Sequence, residues 1–333
     1  DVIDPAKWNR LNECRAITGD NILDLVEKNF GITTVPGFSD VINDRQPPWT
    51  DATYLRYYFD NDKRVEKYIP KGQAPYIMQD GVSLNLYHGN RRNRELWDYI
   101  AGVIPYYEEN YGIDGARIDM GHALPDEVNR EIVERVKSKN SDFLLWSEEF
   151  NPDKAETAKE NGFHFISGAT WSDYKNVGAP DFLNKLVSGT LLFSALPITA
   201  ALETADTPRA AHVFRDRKKL KLLIFLNSFL PNVIPFINNG MEVMEVQPMN
   251  LGLDNTEEGR FVLDRGDKMY GKLAFFDNCS LHWLNPGRKW MMKQLRDSAK
   301  LRAGFIDIIS EKDNFIACGE SLRNDDILVL CYF

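Results

Sequence analysis

Several carboxylates of this 333-residue chain share one position, just beyond a short apolar run typical of a buried strand. They are Asp119, Glu148, Glu149 and Asp206. Because parallel strands of an α/β fold end at the same edge of the sheet, such side chains are expected to line one rim. A single acidic residue after a strand is usually a helix cap or a solvated loop residue. A series of them after successive strands favours a shared chemical role.

A pair of carboxylates suits the cleavage of a glycosidic bond, in which one group attacks the anomeric carbon and the other protonates the leaving oxygen. The first must be ionised and the second protonated, so their surroundings must differ. Arg117 lies two residues before Asp119, on the same face of a strand. Its positive charge favours the ionised carboxylate that a nucleophile needs.

The second carboxylate has the surroundings of a proton donor. Glu148 follows a hydrophobic run that ends in Trp146, a setting that can raise the pKa of a carboxyl group. Asp206 could then bind substrate hydroxyls and stabilise the positive charge of the transition state. These three residues are the candidate catalytic set.

Metal and disulfide chemistry find no support in the sequence. The five histidines show no HExxH or other metal spacing, and the four cysteines are widely separated without a CxxC pair. We therefore expect no metal site and no organic cofactor. A reducing, cytoplasmic location is the simplest interpretation.

The composition is that of an ordinary folded protein, with 43% hydrophobic residues, 27% charged residues and a formal charge of −9. This acidic balance argues against nucleic acid and anionic membranes as partners. The most apolar stretch, 220–237, is interrupted by Asn227, Pro231 and Pro235. It predicts a helix, a turn and a buried strand instead of a membrane span.

Apolar runs alternate with helical patterns from about Asn90 onward. The predicted strands are 115–119, 143–147, 163–167, 197–202 and 232–237, and the predicted helices include segments near 96–107, 125–136, 153–160, 181–188, 212–225 and 288–302. Such an alternation indicates βα units and a parallel sheet. A doubly wound sheet and an eight-stranded barrel both fit, although no glycine-rich phosphate loop of the doubly wound type is present.

Three of these segments resemble the signatures of the α-amylase superfamily, glycoside hydrolase family 13. The segment 115–119 (GARID) resembles its G-x-R-x-D strand, 147–150 (SEEF) resembles the next signature, and 203–209 (ETADTPR) is similar to the third. The spacing of 29 and then 58 residues between the carboxylates matches that family. The segment 235–242 is similar to its eighth strand and the following loop.

The resemblance implies a role for each matched residue. Asp119 would be the nucleophile, Glu148 the acid/base and Asp206 the stabiliser of the transition state. The implied substrate-binding residues are Arg117, His122, Glu149, Trp171, Arg209 and Glu242. The implied ligand is an α-glucan or maltooligosaccharide.

Two departures from the family pattern narrow the comparison. Thr204-Ala205 replaces the usual Asn-His pair, and His122-Ala123 replaces the common Lys-His pair after the nucleophile. These features, with the run 47–51 (PPWTD), look most like the maltosyltransferase branch.

The same resemblance implies a TIM (β/α)8 barrel of which this chain holds only strands 4–8, since the family's first signature is absent. We expect an irregular inserted subdomain over 1–80, barrel strands and helices over 81–305, and the start of a C-terminal β domain over 306–333. The missing strands would come from an N-terminal segment elsewhere, and a homo-oligomer is a further option. On its own, the chain is expected to be inactive.

Several functions remain open at this point. The leading hypothesis is a retaining α-1,4-glucan transferase that moves maltosyl units through a covalent intermediate. An amylase-like hydrolase or a phosphate-dependent maltosyltransferase would use the same residues, because the choice of acceptor depends on how the site excludes water. A catalytically degenerate glucan-binding protein is the alternative from another class, favoured by the missing histidine near Asp206.

Overall fold

The computed structural model describes residues 13, 54–55, 57–66, 77–78, 88–250, 252–254, 257–274 and 281–311. The run 47–51 and the predicted C-terminal β segment over 313–333 lie outside these residues. The described chain forms two compact units. One comprises the described residues up to Phe150 with Lys154–Ile166, and the other comprises Asn151–Asp153 with the described residues from Ser167 onward.

The first unit contains three parallel strands in the order β3-β4-β5. Its elements are β1 (Tyr54–Leu55), α1 (Lys63–Glu66), β2 (Ile77–Met78), α2 (Arg94–Tyr111), β3 (Gly115–Ile118), α3 (Asp126–Lys137), β4 (Leu144–Ser147), α4 (Ala155–Glu160) and β5 (Phe165–Ile166). Strands β1 and β2 form a separate antiparallel pair. The predicted strands and helices of this region are therefore confirmed, with β5 shorter than expected.

Helix α2 begins where the sequence predicts, because the Asn93 side chain accepts a hydrogen bond from the Leu96 N–H. It ends at Gly112, which adopts the left-handed conformation common after a helix. Its buried face carries Trp97, whose ring N–H donates to the Tyr57 carbonyl at 2.9 Å. The helix is thereby tied to the chain that precedes it.

Helix α3 has a buried apolar face. Val128, Ile132 and Val136 are all buried along one face, and each contributes about 1.5–3 kcal/mol by leaving water. The helix also packs against α2, where Arg94 forms a two-pronged ion pair with Glu131.

The second unit contains a pair of parallel strands with helices around them. Its elements are α5 (Thr170–Asp173), α6 (Phe182–Leu186) with a π-helical turn at Val187–Leu191, β6 (Ile198–Ala201), α7 (Ala210–Val213), α8 (Arg217–Phe229), β7 (Val233–Phe236), short 3₁₀ turns at Met241–Val243 and Glu257–Phe261, and α9 (Arg288–Glu311). Every residue of β6 is buried, and its partner is β7. All five strands predicted between 115 and 237 are thus present.

Two predicted helices differ from those observed. The helix expected over 212–225 is two helices, because Phe214 leaves the helical conformation and the Asp216 side chain caps a new start by accepting from the Lys218 N–H at 2.8 Å. The helix expected over 288–302 continues to Glu311. Among the described residues, no helix has the length and apolar character needed to cross a membrane.

A polar cluster around His282 fastens the loops that follow β7. The His282 ring lies between two carboxylates, with Nδ1 2.8 Å from Glu245 and Nε2 3.1 Å from Asp267. Glu245 is fully buried and also accepts from the backbone N–H groups of Val246, Gln247 and His282. Three segments far apart in the chain are therefore joined through one imidazole.

The protonation of His282 follows from these contacts. Partial burial lowers its pKa, but the hydrogen bonds and charges of Glu245 and Asp267 outweigh burial, so the net pKa is raised. The pKa values of Glu245 and Asp267 are both lowered in the folded protein. The stabilisation from the imidazolium is thus complete at acidic pH and is lost as the pH rises through the raised pKa.

We predict that His282→Gln lowers the free energy of unfolding at about pH 6 by about 1.5–3 kcal/mol, because bonds between charged groups are lost. The difference from the parent protein should shrink as the pH rises towards about 9, where the parent imidazole is neutral. Urea denaturation at both pH values measures this. His212→Gln is the matched control, because burial and Arg215 lower the pKa of His212. The free energy of unfolding of that variant should still fall as the pH rises, as it does in the parent protein. An equal loss in His282→Gln at both pH values would contradict the prediction.

Candidate active site

The first part of the site is built by the pairing of β3 with β4. This pairing places Arg117 beside Trp146 in register, and the guanidinium carbon lies 5.5 Å from the centre of the Trp146 ring. The ring in turn stacks on Phe165 of the next strand. Arg117 is therefore held by a cation–π contact and points past the end of β3.

The guanidinium of Arg117 joins the two predicted catalytic carboxylates. Its Nη1 lies 2.6 Å from Asp119 Oδ1, and its Nη2 lies 2.6 Å from Glu148 Oε1. The planar fork of arginine offers two such donors at a fixed angle. One cation thus fixes the positions of both acids.

The two carboxylates differ sharply in their exposure. The side chain of Asp119 is 56% exposed, whereas that of Glu148 is 8% exposed. Burial and the charge of Asp119 raise the pKa of Glu148 to about 8, with a further rise from a hydrogen bond to Asp119. Arg117 and the Met120 N–H lower it, but burial prevails. Glu148 therefore carries a proton at neutral pH and can donate it.

A strained turn after β3 supplies a backbone contact to Glu148. Met120 has a positive φ of 54°, a conformation that costs free energy for a residue with a side chain. This conformation aims the Met120 N–H at Glu148 Oε2, 2.6 Å away. Gly121 follows in a tight space, since a Cβ there would lie 2.5 Å from Ser147 Oγ. A side chain at this position would press against β4, so glycine allows the close approach of the turn.

His122 and Glu149 lie next to the same turn. The His122 N–H and its ring atom Nδ1 both contact the Glu148 carbonyl oxygen, at 3.1 and 2.6 Å. The ring also packs against Phe150. Glu149 is half-buried beside Glu148. The predicted substrate-binding roles of both residues stay predictions.

Asp206 belongs to the second unit and lies in the loop after β6. It is half-buried, and its Oδ1 accepts from the Asn250 side chain at 2.6 Å. Its backbone N–H donates to the Thr204 hydroxyl at 3.2 Å. The carboxylate is therefore held in one orientation by contacts within its own unit.

Arg209 is deeply buried, contrary to what a simple substrate contact would suggest. Its side chain and that of Glu203 are both 0% exposed, and they form an ion pair of 2.7 Å. Burial raises the pKa of Glu203, while Arg209 opposes that rise. In the structure Arg209 thus contacts protein groups, and its predicted role towards substrate stays a prediction.

Trp171 and Glu242 complete the second unit's share of the predicted residues. Trp171 is buried at the start of α5, with the Lys175 amino group 5.2 Å from its ring centre. Lys175 also pairs with Asp254. Glu242 accepts from the Gly240 N–H at 2.9 Å and so closes the turn after β7.

Sequence reasoning missed several residues that shape the site. Met120 acts through its backbone, and Asn250 lies 44 positions from its partner Asp206, so neither has a local sequence signal. Glu203 did carry one, because it opens the third matched segment. No group of three or more histidine, cysteine or acidic residues within the described ranges is arranged to hold a metal ion.

The described residues thus form an α/β protein with a parallel sheet and with two acidic side chains, Asp119 and Glu148, at neighbouring strand ends. No family model matches the chain, and no curated protein matches it. Several solved structures are similar to it. One is the α-amylase from Geobacillus thermoleovorans complexed with acarbose, at 20% identity and a TM-score of 0.46, covering 63% of this chain and 44% of that one.

Two further solved structures are similar at low identity. The cyclic α-maltosyl-(1→6)-maltose hydrolase from Arthrobacter globiformis, complexed with maltose, has 18% identity and a TM-score of 0.48 over 89% of this chain and 62% of that one. The maltogenic amylase from S. marinus has 18% identity and a TM-score of 0.44 over 63% of this chain and 28% of that one. This chain spans about half the length of the first α-amylases it matches.

We predict that one glutamate carboxyl group of this protein titrates near pH 8, because burial and Asp119 stabilise the protonated form of Glu148. Carbon-13 NMR of the glutamate side chains measures this directly. The signal should vanish in Glu148→Gln and persist in Glu127→Gln, which removes an exposed carboxylate. A spectrum in which every glutamate titrates below about pH 6 would contradict the assignment.

We predict that Gly121→Ala destabilises the protein by about 1–3 kcal/mol, because the new methyl group would overlap Ser147. Any weakening of the Met120 contact should raise the pKa of Glu148 further, because the Met120 N–H lowers it. Denaturant unfolding provides the first measurement. Gly178→Ala is the control, since a Cβ there meets nothing within 4 Å, and a comparable loss in both variants would refute the steric explanation.

Proposed function

We propose that the protein is a retaining α-1,4-glucan glycosyltransferase in which Asp119 is the nucleophile and Glu148 the acid/base. The observation that carries the proposal is that one guanidinium, that of Arg117, contacts both carboxyl groups at 2.6 Å. Inverting enzymes need about 6.5–9.5 Å between the two groups to admit a water, whereas retaining enzymes have them closer. The contact therefore supports a covalent glycosyl intermediate.

The chemistry follows from the state of each group. Asp119 is exposed and contacts the guanidinium, so its carboxylate can attack the anomeric carbon as the glycosidic bond breaks. Glu148 gives its proton to the leaving oxygen and becomes a carboxylate. That carboxylate then removes a proton from the acceptor hydroxyl, which attacks the anomeric carbon and releases Asp119. Asp206 is proposed to stabilise the positive charge that develops on the sugar ring.

Transfer of maltosyl units is the favoured reaction because of the residues around the nucleophile. His122-Ala123 and Thr204-Ala205 replace the pairs common in the family, and both departures resemble the maltosyltransferase branch. Hydrolysis is the second candidate, supported by the exposed side chain of Asp119, which water can reach. The proposed substrate is a maltooligosaccharide or a starch-like glucan.

We also propose that β3–β7 correspond to strands 4–8 of a barrel and that further strands are contributed from outside this chain. Among the described residues, β3 pairs with a neighbour on one side only, and Gly115 and Arg117 on it are accessible to solvent. An unpaired edge of a parallel sheet is normally covered. Activity is therefore to be tested in the full-length protein. The cytoplasmic location stays a prediction from the cysteine pattern.

The proposal predicts that Asp119→Asn lowers kcat for maltosyl transfer at least about 10³-fold, because the amide cannot form the glycosyl ester. The assay follows maltotetraose in the full-length protein by chromatography. Asp114→Asn is the matched control, since Asp114 is an exposed carboxylate at the opposite end of β3. Undiminished activity in Asp119→Asn would sink the assignment.

The same assay separates the possible acceptors. Products longer than maltotetraose indicate transfer to a sugar, products that are only shorter indicate hydrolysis, and maltose 1-phosphate formed on addition of phosphate indicates a phosphate-dependent enzyme. Binding without any product would indicate a degenerate glucan-binding protein. The configuration of the first-formed product, read by proton NMR, must be retained if Asp119 forms a covalent intermediate.

A further inference from the structure

The loop that carries Asp206 is closed at its two ends by one buried ion pair. Glu203 precedes the loop, Arg209 follows it, and Asp206 lies midway between them. The Arg209 Nη1 lies 2.7 Å from Glu203 Oε1, and both side chains are fully buried. A chain segment of this length with its ends joined has few conformations left.

Both oxygens of the Glu203 carboxylate accept hydrogen bonds. Oε1 accepts from Arg209 and from the Asn238 side chain, at 2.7 and 3.1 Å, and Oε2 accepts from the Ala210 N–H at 2.7 Å. Such a set compensates the cost of burying a charge. It also fixes the rotamer of Glu203, and hence the position from which the guanidinium is held.

The guanidinium of Arg209 reaches beyond its own loop. Besides Glu203, it donates to the Asn239 carbonyl at 2.7 Å and to the Gln247 carbonyl at 2.9 Å. A Cβ at Gly240 would lie 3.1 Å from both terminal nitrogens, so glycine allows the close approach. Arg209 therefore connects the loop after β6 to the loop after β7 and to the segment at 247.

That last segment leads to the direct partner of Asp206. The Asn250 side chain donates to Asp206 Oδ1 at 2.6 Å, and its own oxygen accepts from the Gly252 N–H at 2.7 Å. Inside the loop, the Thr204 N–H donates to the Thr207 hydroxyl at 2.7 Å. The loop thus fixes the backbone of Asp206, and Asn250 fixes its carboxylate. Arg209 contacts both the loop and the segment that leads to Asn250.

The ion pair has features that stability alone does not explain. Arg209 Nη2 is buried and has no hydrogen-bond partner among the described residues, which costs free energy. A buried ion pair is often no more stabilising than apolar residues of the same size. The arrangement instead fixes positions, because the two planar side chains hold three loops at set distances from one another.

We infer that Glu203 and Arg209 are positioning residues that set the orientation of Asp206 for the reaction proposed above. This inference rests on the proposed function of Asp206. The pair does not contact substrate. It acts by holding the loop 203–209 against Asn239 and Gln247, so that the Asp206 carboxylate faces one direction.

The test compares kinetics and stability in the full-length protein. Arg209→Lys keeps the charge but loses the fork, and Glu203→Gln keeps the shape but loses the charge. Each should lower kcat for maltosyl transfer by about 10²-fold, the effect of a small misplacement of a catalytic group. KM should change by less than about threefold, since Asp206 acts on the transition state.

A double variant separates positioning from stability. Glu203→Gln with Arg209→Gln removes both charges and leaves two amides that can bond to each other, so the melting temperature should recover relative to either single variant. The kcat should stay low, because an amide cannot reach Asn239 and Gln247 together. Recovery of kcat with the melting temperature would overturn the inference, as would normal kcat in folded single variants.

Two controls make the outcome decisive. Leu223→Ala removes core packing from α8 and should lower the melting temperature without a comparable selective loss of kcat. If the charge variants do not fold, Gly240→Ala decides, because its methyl group would press against the guanidinium and Leu281 in a backbone conformation, φ +98°, that strains alanine; unchanged kcat in that variant would overturn the inference. Asp206→Asn tests the proposed function separately. Full activity in that variant would reject the proposed role of Asp206. Loss of activity in Asp206→Asn, together with normal activity in the Glu203 and Arg209 variants, would reject only the positioning role.

Discussion

The contact of Arg117 with Asp119 and Glu148 is the constraint on which the rest of the first unit depends. A guanidinium beside two carboxyl groups would normally favour the ionised form of both. Burial of Glu148 reverses this for one of them, so that a single cation contacts an exposed acid and a buried acid whose pKa is raised. The strands, the Trp146 ring and the turn at Met120 all serve to keep that difference in burial.

The second unit solves a similar problem by other means. The orientation of Asp206 comes from the Asn250 amide and from the backbone of its loop. The charged groups that shape that loop, Glu203 and Arg209, are fully buried beneath it. His282 and its two carboxylates join further loops along the chain through charged contacts.

The sequence predicted the regular elements well and the fine geometry poorly, for physical reasons that particular residues illustrate. The strands before Asp119 and Glu148 are short apolar runs bounded by polar residues, so their positions were predictable. The break between α7 and α8 was missed because Asp216 caps a helix inside a stretch of continuous helix formers. Asn250 was missed because its partner lies far away in the chain. Arg209 was predicted as a site residue, but its complete burial depends on packing that no local pattern reveals.

The turn at Met120 has a consequence for how such a site changes over evolutionary time. The contact to Glu148 comes from a peptide N–H, so any residue able to tolerate the left-handed conformation can provide it. Selection at position 120 therefore acts on backbone shape, and the side chain there is free to drift. Gly121 beside it has no such freedom. A comparison of side-chain identities across related chains would highlight the glycine and overlook the neighbouring residue that makes the contact.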